Sequence, residues 1–436
     1  MPAIRITSDA TEQSASEAIL VAGDSVLSTG YQRSDFSSAV TNIIRGSNLS
    51  IVNFEAPMRS STPAQKNGPL LSQTADDIHT LSELGFDLCT LANNHTMDYG
   101  YEGLQSTINA CNSAGMSYVG AGSCSDSAIS PFVCSFKNTQ VAVFNLCAHE
   151  FGIATENKPG VGWIREPGVH SLISETVDSV DLVLVVVHGG LEYTPFPSRQ
   201  WQKQLRSLVD AGADAVVCHH PHVPQGWEIY NDAPIVYSVG NFAFKQNRPE
   251  TRRGYLFELT IKNSAFSTGI VHPILNQDRI QFADPLENES YIQYLNGVSE
   301  IMDNYWENKG YWQEEAIYLF ENKYQKELRN YGNNQLLSLL QHPVRAIDLL
   351  SDGKLSSTVF AQEQDLQALN YLQTLPHRDV IETALRIRTG VESDYRTKHT
   401  RDAFQSCLQW TNSRSNESVS DTTWRRIRTV WQRFVN

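Results

Sequence analysis

Three histidines fall within four positions of one short segment, CHHPHVPQG at residues 218–226, in a chain that has only 12 histidines among 436 residues. Imidazole is a common ligand for Zn, Mn and Fe. Along an extended chain His220 and His222 would point to one side and His219 to the other, while Pro221 prevents a regular strand from continuing. The segment therefore predicts a metal site with His220 and His222 as ligands and His219 in a supporting role.

Carboxylate, amide and imidazole side chains also follow several apolar, strand-like runs. They are Asp24 after AILVAG, Glu55 after LSIVNF, Asn94 and His95 after FDLCTLAN, His188 and Glu192 in DLVLVVVHGGLE, and Asn241 after IVYSVG. The carboxyl ends of strands are the edge at which α/β sheets place their ligands. This mixture of ligand types suits Zn, Mn or Fe better than an all-oxygen calcium site. The pattern predicts a centre with one or two divalent metals, in which Glu55 could bridge two ions and hydrolysis would be the natural chemistry.

Single residues of this set have plainer alternatives. Asp24 alone could form a turn or cap a helix, and Asn94 could be a turn residue that tolerates a left-handed backbone. His149 lies at another strand end without the surrounding pattern, which favours a structural role. The site prediction depends on the coincidence of ligand types at six strand ends, which no single residue provides.

The elements around these residues alternate in type. From Ala18 to about Asp278, short β-branched or leucine-rich runs alternate with helix-period segments such as TADDIHTLSELG that end in glycine. This alternation predicts an α/β fold with helices covering sheets. Residues 1–17 are polar and predicted to be disordered, residues 18–286 form the α/β domain, and residues 287–436 form a helical C-terminal region.

Composition excludes several classes of protein. The formal net charge of -14 argues against a general nucleic-acid binder. The polar start and the absence of a long apolar stretch predict neither a signal peptide nor a membrane span, so we expect a soluble, cytoplasmic protein. The 7 cysteines lack CxxC spacing and indicate buried thiols in a reducing compartment.

Residues 18 to about 245 resemble the CapA-type poly-γ-glutamate capsule-synthesis family, whose domain has the calcineurin-like metallophosphoesterase architecture. Seven blocks in order carry the resemblance: GDSVL, NFEAP, LANNHTMDYGYEGLQST, YVGAG, VHGGLEY, DAGADAVVCHHPHVPQGWEIY and IVYSVGNFAF. The resemblance implies an αββα sandwich of two mixed sheets with a metal site on loops at one edge. It does not account for the helical region.

The resemblance also implies roles for individual residues. The implied metal ligands are Asp24 and His222 for the first ion, His188 and His220 for the second, Glu55 as the bridging carboxylate and Asn94 as an amide ligand. The implied catalytic residues are His95 as the imidazole that protonates a leaving group or steadies the transition state, Asp98 as its orienting partner, and Glu192 as a further ligand, a base or a substrate contact. Metallophosphoesterases usually have a histidine two residues after the first aspartate, where this chain has Val26, and an aspartate where it has Glu55.

Two functions are compatible with the sequence. The first is a metal-dependent hydrolase of capsule or poly-γ-glutamate biosynthesis that acts on a phosphoester or γ-glutamyl amide bond of an anionic polymer or small molecule. The alternative is a non-catalytic assembly factor that holds a polymer end in the same pocket while the helical region docks a biosynthetic protein partner.

Overall fold

The computed structural model describes residues 5–7, 17–66, 68–136, 139–303, 309–330 and 359–412. Two mixed sheets form its centre. The larger sheet contains nine strands: β1 (Arg5–Thr7), β2 (Glu17–Val26), β3 (Leu49–Phe54), β4 (Leu88–Thr90), β5 (Ser117–Val119), β14 (Asn241–Phe244), β15 (Arg253–Lys262), β16 (Ala265–Asn276) and β17 (Ile280–Phe282). The smaller sheet contains six: β7 (Phe132–Phe136), β8 (Thr139–Cys147), β10 (Leu182–His188), β11 (Ala215–His219), β12 (Trp227–Tyr230) and β13 (Ala233–Val236). The short strands β6 (Ala121–Gly122) and β9 (Gly160–Val161) pair with each other.

Helices cover the outer faces of both sheets. In the sandwich they are α1 (Ser38–Gly46), α2 (Ala75–Leu84), α3 (Gly100–Ser113), α4 (Ser125–Ile129), α5 (Val169–Val177) and α6 (Arg199–Asp210). Helices α1 to α3 pack on the larger sheet, and α5 and α6 pack on the smaller one. The helical region adds α7 (Pro285–Asp303), α8 (Lys309–Leu319), α9 (Gln325–Asn330), α10 (Val359–Gln373), α11 (Leu375–Arg388) and α12 (Lys398–Asn412), with a π-helical turn at Phe320–Tyr324 between α8 and α9.

Strand β2 shows why the sequence forms a layered structure. Its residues alternate in direction, so that Ile19 and Val21 join the core between the two sheets while Leu20 and Ala22 join the core beneath α1 to α3. All four side chains are buried. A strand buried on both faces reads as a continuous apolar run, as this one does. The predicted α/β sandwich is confirmed.

The larger sheet takes up part of the predicted N-terminal segment. Arg5–Thr7 pair in parallel with Thr268–Ile270 of β16, and β2 begins at Glu17, so these residues differ from the expectation of disorder. The remainder of that segment, residues 1–4 and 8–16, lies outside the described residues. A paired strand of three residues is too short for hydrophobic periodicity to reveal.

The helical region packs directly on the sandwich and shares its hydrophobic core. The last strand ends at Phe282 and α7 begins at Pro285, close to the predicted boundary. Tyr294 stacks on Trp410 with ring centroids 3.8 Å apart, and its hydroxyl donates to the carbonyl of Pro224 in the sandwich at 3.1 Å. Residues 331–358 and 413–436 of the helical region lie outside the described residues.

All seven cysteines are free thiols. Among the helices of the described ranges, none combines the length and the apolar character that are needed to cross a membrane.

Glu315 of α8 provides a test of how the helical region is held against the sandwich. Its side chain is fully buried, neither carboxylate oxygen has a hydrogen-bond partner among the described residues, and burial raises its pKa well above the ordinary value. Unfolding therefore releases a proton from Glu315 when the pH lies between the unfolded and folded pKa values. The stability that the protonated group contributes is complete below its ordinary pKa and is lost as the pH rises through the folded pKa.

We expect Glu315→Gln to leave the free energy of unfolding nearly unchanged at pH 4 and to raise it by about 1–2 kcal/mol at pH 8. The measurement is urea unfolding across that pH range. Glu321→Gln, on an exposed side chain in the π-helical turn that follows α8, is the matched control and should show no such trend. A gain that shrinks as the pH rises would contradict the assignment of a raised pKa.

Candidate metal centre

Strand ends from both sheets meet at one edge of the sandwich. In the larger sheet Asp24 is in register with Asn53 on one side and Asn241 on the other, and in the smaller sheet His188 is in register with His219. The amide nitrogen of Asn53 donates to Asp24 Oδ1 at 2.7 Å and lies 3.2 Å from Nδ1 of His188. Asn53 therefore connects the polar ends of the two sheets.

One potential ligand group consists of Asp24, Glu55 and His222, whose ligand atoms all lie within 4.8 Å of one another. Nδ1 of His222 donates to Asn241 Oδ1 at 2.9 Å and lies 3.2 Å from Asp24 Oδ2. Its Nε2 lies 3.6 Å from Glu55 Oε1. Because Nδ1 is engaged as a donor, Nε2 is the nitrogen that is left to bind an ion.

A second potential ligand group consists of Glu55, His188 and His220, again within 4.8 Å. Nε2 of His188 lies 3.7 Å from Glu55 Oε1, 3.1 Å from Nδ1 of His220 and 3.1 Å from Oδ1 of Asn94. The structure thus brings the amide oxygen of Asn94 to this group. Glu192 forms a third group with His220 and His222, which places it beside both histidine positions.

Glu55 shows that these residues fit a metal. Its side chain is fully buried, and neither carboxylate oxygen has a hydrogen-bond partner among the described residues. Burial raises its pKa well above the ordinary value, and the neighbouring charge of Asp24 raises it further. A buried carboxylate without donors is costly, whereas a cation shared by the two ligand groups would satisfy both oxygens. The set of carboxylate, imidazole and amide donors suits Zn, Mn or Fe.

The histidine segment bends sharply at the site. His220 and His222 both have positive φ angles, of 98° and 59°, which are uncommon for residues other than glycine. Nε2 of His219 lies 2.8 Å from the carbonyl of Ala22, so this ring faces the sheet instead of the ligand groups. The ring of His219 is thus directed away from those of His220 and His222. This arrangement results from a left-handed turn around Pro221, whereas the sequence predicted that it would result from the alternation of an extended chain.

Glu150 belongs to the site and was absent from the sequence prediction. Its Oε1 lies 3.1 Å from Nε2 of His220, and its Oε2 accepts from the amide nitrogen of Asn94 at 3.0 Å. Burial alone would lower the pKa of His220, but the charge of Glu150 outweighs it and raises that pKa to about 9. A ligand imidazole must be neutral, so an ion at this position displaces a proton. Glu150 could have been predicted from its position three residues after β8, at the same edge of the sheet as the other site residues.

His95 and Asp98 lie beside the ligand groups as a separate pair. Nδ1 of His95 donates to Asp98 Oδ2 at 2.7 Å, and Lys66 Nζ lies 2.5 Å from Asp98 Oδ1 and 3.2 Å from His95 Nδ1. Burial lowers the pKa of His95, and the charge of Lys66 lowers it further. The sequence predicted Asp98 as the orienting partner, whereas Lys66 carried no signal because it lies in a loop without a motif.

A cavity of about 240 Å³ opens beside the centre. Asn94 and Glu150 line one side, and α10 lines the other with Leu366 and Asn370 among its residues. His149 lines it as well, with its ring edge-on to Trp163 at 5.2 Å, so this residue contributes to the wall of the cavity. The helical region therefore forms part of the space next to the ligand groups.

Val26 occupies the position at which a histidine would be expected by resemblance. It is buried and packs with Ala56 and Phe244 in a small apolar cluster. No imidazole is available at that point of the chain, and the first ligand group retains Asp24, Glu55 and His222.

Comparison with known proteins points to one family. The family described as "Bacterial capsule synthesis protein PGA_cap" matches residues 5–246. The capsule biosynthesis protein CapA of Bacillus anthracis is 32% identical over 250 residues, which cover 55% of this chain and 61% of that protein. The PGA biosynthesis protein CapA of Bacillus subtilis (strain 168) is 33% identical over 241 residues, covering 54% of this chain and 63% of that protein.

The chain thus spans less than two thirds of the length of these relatives. Among solved structures, a novel phosphatase from Mycoplasma pneumoniae aligns with 62% of this chain and 95% of its own, at 16% identity and a TM-score of 0.38. The family match starts at Arg5, within β1, and stops at Gln246, just after β14, so the helical region lies beyond it. Because the matched segment is more than half of the chain and contains every predicted metal ligand, the chain belongs to the bacterial capsule synthesis protein family.

Proposed function

We propose that this protein is a metal-dependent hydrolase that acts on a phosphoester or γ-glutamyl amide bond during synthesis or processing of an anionic polymer. The observation that carries the proposal is Glu55, a buried carboxylate without hydrogen-bond donors that is shared by two groups of potential ligands. Two ions that share one carboxylate are the arrangement used by many enzymes that hydrolyse phosphoesters and amides. The substrate and a cytoplasmic location are part of the proposal.

The ligand groups divide between two ions. Asp24 and His222 would hold the first, His188 and His220 the second with the amide oxygen of Asn94, and Glu55 would join them. Zn, Mn or Fe in such a centre supplies an activated water and polarises an oxygen of the scissile bond. Burial alone would raise the pKa of Asp24, but the contact with His222 and the charges of His222, His219 and His188 together lower it, so this ligand is ionised at neutral pH.

His95 would move a proton at its Nε2. Asp98 accepts the Nδ1 proton, and this fixes the ring so that Nε2 is the exchanging atom. Lys66 holds Asp98 in place from the other side, and the backbone N–H of Leu71 donates to Asp98 Oδ2 at 2.7 Å. The pair therefore supports the role of acid toward a leaving group once Nε2 has taken up a proton, with Asp98 as a positioning residue.

Glu192 and the cavity would serve the substrate. Glu192 lies beside His220 and His222, where it would act as a further ligand, a base or a substrate contact. The cavity next to Asn94 provides room for the group that flanks the scissile bond. Its walls combine amide and apolar side chains with the charged groups of Lys66 and Glu150, a mixture that is typical of ligand sites.

The experiment is metal analysis of the purified protein followed by activity assays with added Mn²⁺ or Zn²⁺. The substrates are bis-p-nitrophenyl phosphate and poly-γ-glutamate. We expect two ions per chain and hydrolysis of one of the two substrates. A protein that takes up no metal and hydrolyses neither substrate would contradict the proposal.

A non-catalytic role in polymer assembly is the second candidate, because Val26 packs in an apolar cluster where an additional metal ligand would be expected. In this case the centre would hold a polymer end while the helical region docks a biosynthetic partner. Deletion of residues 287–436 cannot test docking, since Tyr294 and Trp410 belong to the shared core. Polymer production that survives in a strain carrying metal-binding but hydrolytically inactive His95→Ala would favour this candidate.

A further inference from the structure

His377 is a buried polar group of the helical region for which the proposed function has no role. It lies in the first turn of α11, and its side chain is only 7% exposed. The charged groups that act on its ring are Lys323 of the helical region and, from the sandwich, Glu150, Glu192 and His220. His377 therefore lies near the metal centre, in the helical region that the family match does not include.

The hydrogen bond to Tyr324 determines which nitrogen of His377 is available. The Tyr324 hydroxyl lies 2.5 Å from Nδ1 of His377 and is itself buried, with only 1% of the residue exposed. A buried phenol hydroxyl must donate its proton to an acceptor, and the acceptor that it contacts is Nδ1. Tyr324 therefore donates to Nδ1, and the imidazole proton resides on Nε2. No hydrogen-bond partner for Nε2 is found within the described part of the chain.

The ring of His377 is held in this orientation from several sides. Tyr324 and Tyr371 pack edge-on against it, with ring centroids 5.8 Å and 5.4 Å away. Just before α11, the hydroxyl of Thr374 donates to the carbonyl of His149 at 3.1 Å, which ties the helix to the loop that carries Glu150. A donor whose ring is held in one orientation by packing is preorganised to bind a ligand.

We propose that the helical region completes the active site, because His377 donates its Nε2–H to an oxygen of the anionic group that is bound at the metal centre. The ligand class is an oxyanion, either a phosphoryl group or the oxygen of an amide under attack. The inference rests on the proposed function and extends it to a part of the chain that the family match does not include. Burial and then the charge of Lys323 lower the pKa of His377 to about 4, so the ring is a neutral donor near pH 7.

The first test compares kinetics of the metal-loaded full chain. We expect His377→Ala to reduce kcat/KM by about 10- to 100-fold, the range for loss of a hydrogen bond to a charged group, with unchanged metal content. His377→Gln, which keeps an N–H donor, should restore part of the loss. Tyr324→Phe keeps the packing and loses the hydroxyl, so it should show a smaller decrease. His399→Ala is the matched control, since His399 also contacts a tyrosine hydroxyl of the helical region, that of Tyr311 at 3.3 Å.

The second test does not require hydrolysis. In ¹⁵N-histidine-labelled, Zn²⁺-loaded protein, the Nε2 resonance of His377, assigned by its absence in His377→Gln, should shift when inorganic phosphate is added. A shift in a protein without hydrolytic activity would support the inference and contradict the proposed function. An Nε2 resonance unaffected by phosphate, or a His377→Ala variant with wild-type kcat/KM, would overturn the inference while leaving the proposed function intact.

Discussion

Glu55→Gln is expected to abolish binding of both metals and to reduce hydrolysis at least about 100-fold, since removal of a single electrostatic stabiliser commonly costs that much. Glu55 is the one carboxylate that the two ligand groups of the described residues share. An amide cannot bridge two cations as a carboxylate does, because it carries no charge and only one of its two terminal atoms is an acceptor. His188→Ala, by contrast, removes a ligand of the second group alone and should leave one ion bound.

The same substitution should hardly affect the metal-free protein. Burial and the charge of Asp24 raise the pKa of Glu55, so without metal the protonated form of this group is favoured more than in an exposed glutamate. Glutamine has nearly the same shape as protonated glutamate, and we expect the free energy of unfolding to change by no more than about 1 kcal/mol. When free metal is present at 100 times its Kd, the free energy of unfolding of the wild type should rise by about 2.7 kcal/mol. The variant should not show this rise.

Metal content by mass spectrometry, together with thermal unfolding with and without Mn²⁺, measures both effects. Glu258→Gln is the matched control, because Glu258 is also a buried carboxylate beside a histidine, with its Oε2 2.8 Å from Nε2 of His272. That variant should retain both ions. Uptake of two ions with wild-type affinity by Glu55→Gln would rule out the shared carboxylate.

The sequence could predict that these side chains lie close together because strand ends have a fixed geometry. Asp24 and His188 follow strongly apolar runs, and the carboxyl ends of parallel strands meet at one edge. Residue type and position in the strand were therefore sufficient to predict that these side chains lie close together. The positive φ of His220 could not be deduced from residue spacing.

Other parts of the site depend on packing that no periodicity encodes. Glu150 lies in a loop after β8, Lys66 lies in a loop between β3 and α2, and neither loop has a path that residue spacing determines. His377 is separated from His220 by more than 150 residues, and its position depends on how α11 docks against the sandwich. Long-range contacts of this kind are decided by side-chain packing of a particular pair of surfaces.

His95→Ala is expected to reduce hydrolysis by about 10²- to 10⁴-fold, the usual contribution of a general acid, while both metals stay bound. His95 is absent from all three ligand groups of the described residues. Its removal also leaves the Lys66–Asp98 ion pair and the bond from Leu71 in place, so the surrounding fold should persist. The effect of His95→Ala thus separates proton transfer from metal binding, which Glu55→Gln cannot do.

Leaving-group dependence decides whether His95 acts as an acid or only shapes the site. An acid matters most when the departing oxygen is strongly basic, so His95→Ala should slow hydrolysis of an alkyl ester far more than that of the p-nitrophenyl ester. Equal losses for both esters would indicate a positioning role. His79→Ala, on an exposed face of α2, should change neither rate. Asp98 Oδ2 accepts from Nδ1 of His95 at 2.7 Å and so orients the ring. If this orientation allows Nε2 to deliver the proton, Asp98→Asn should show the same dependence on the leaving group as His95→Ala.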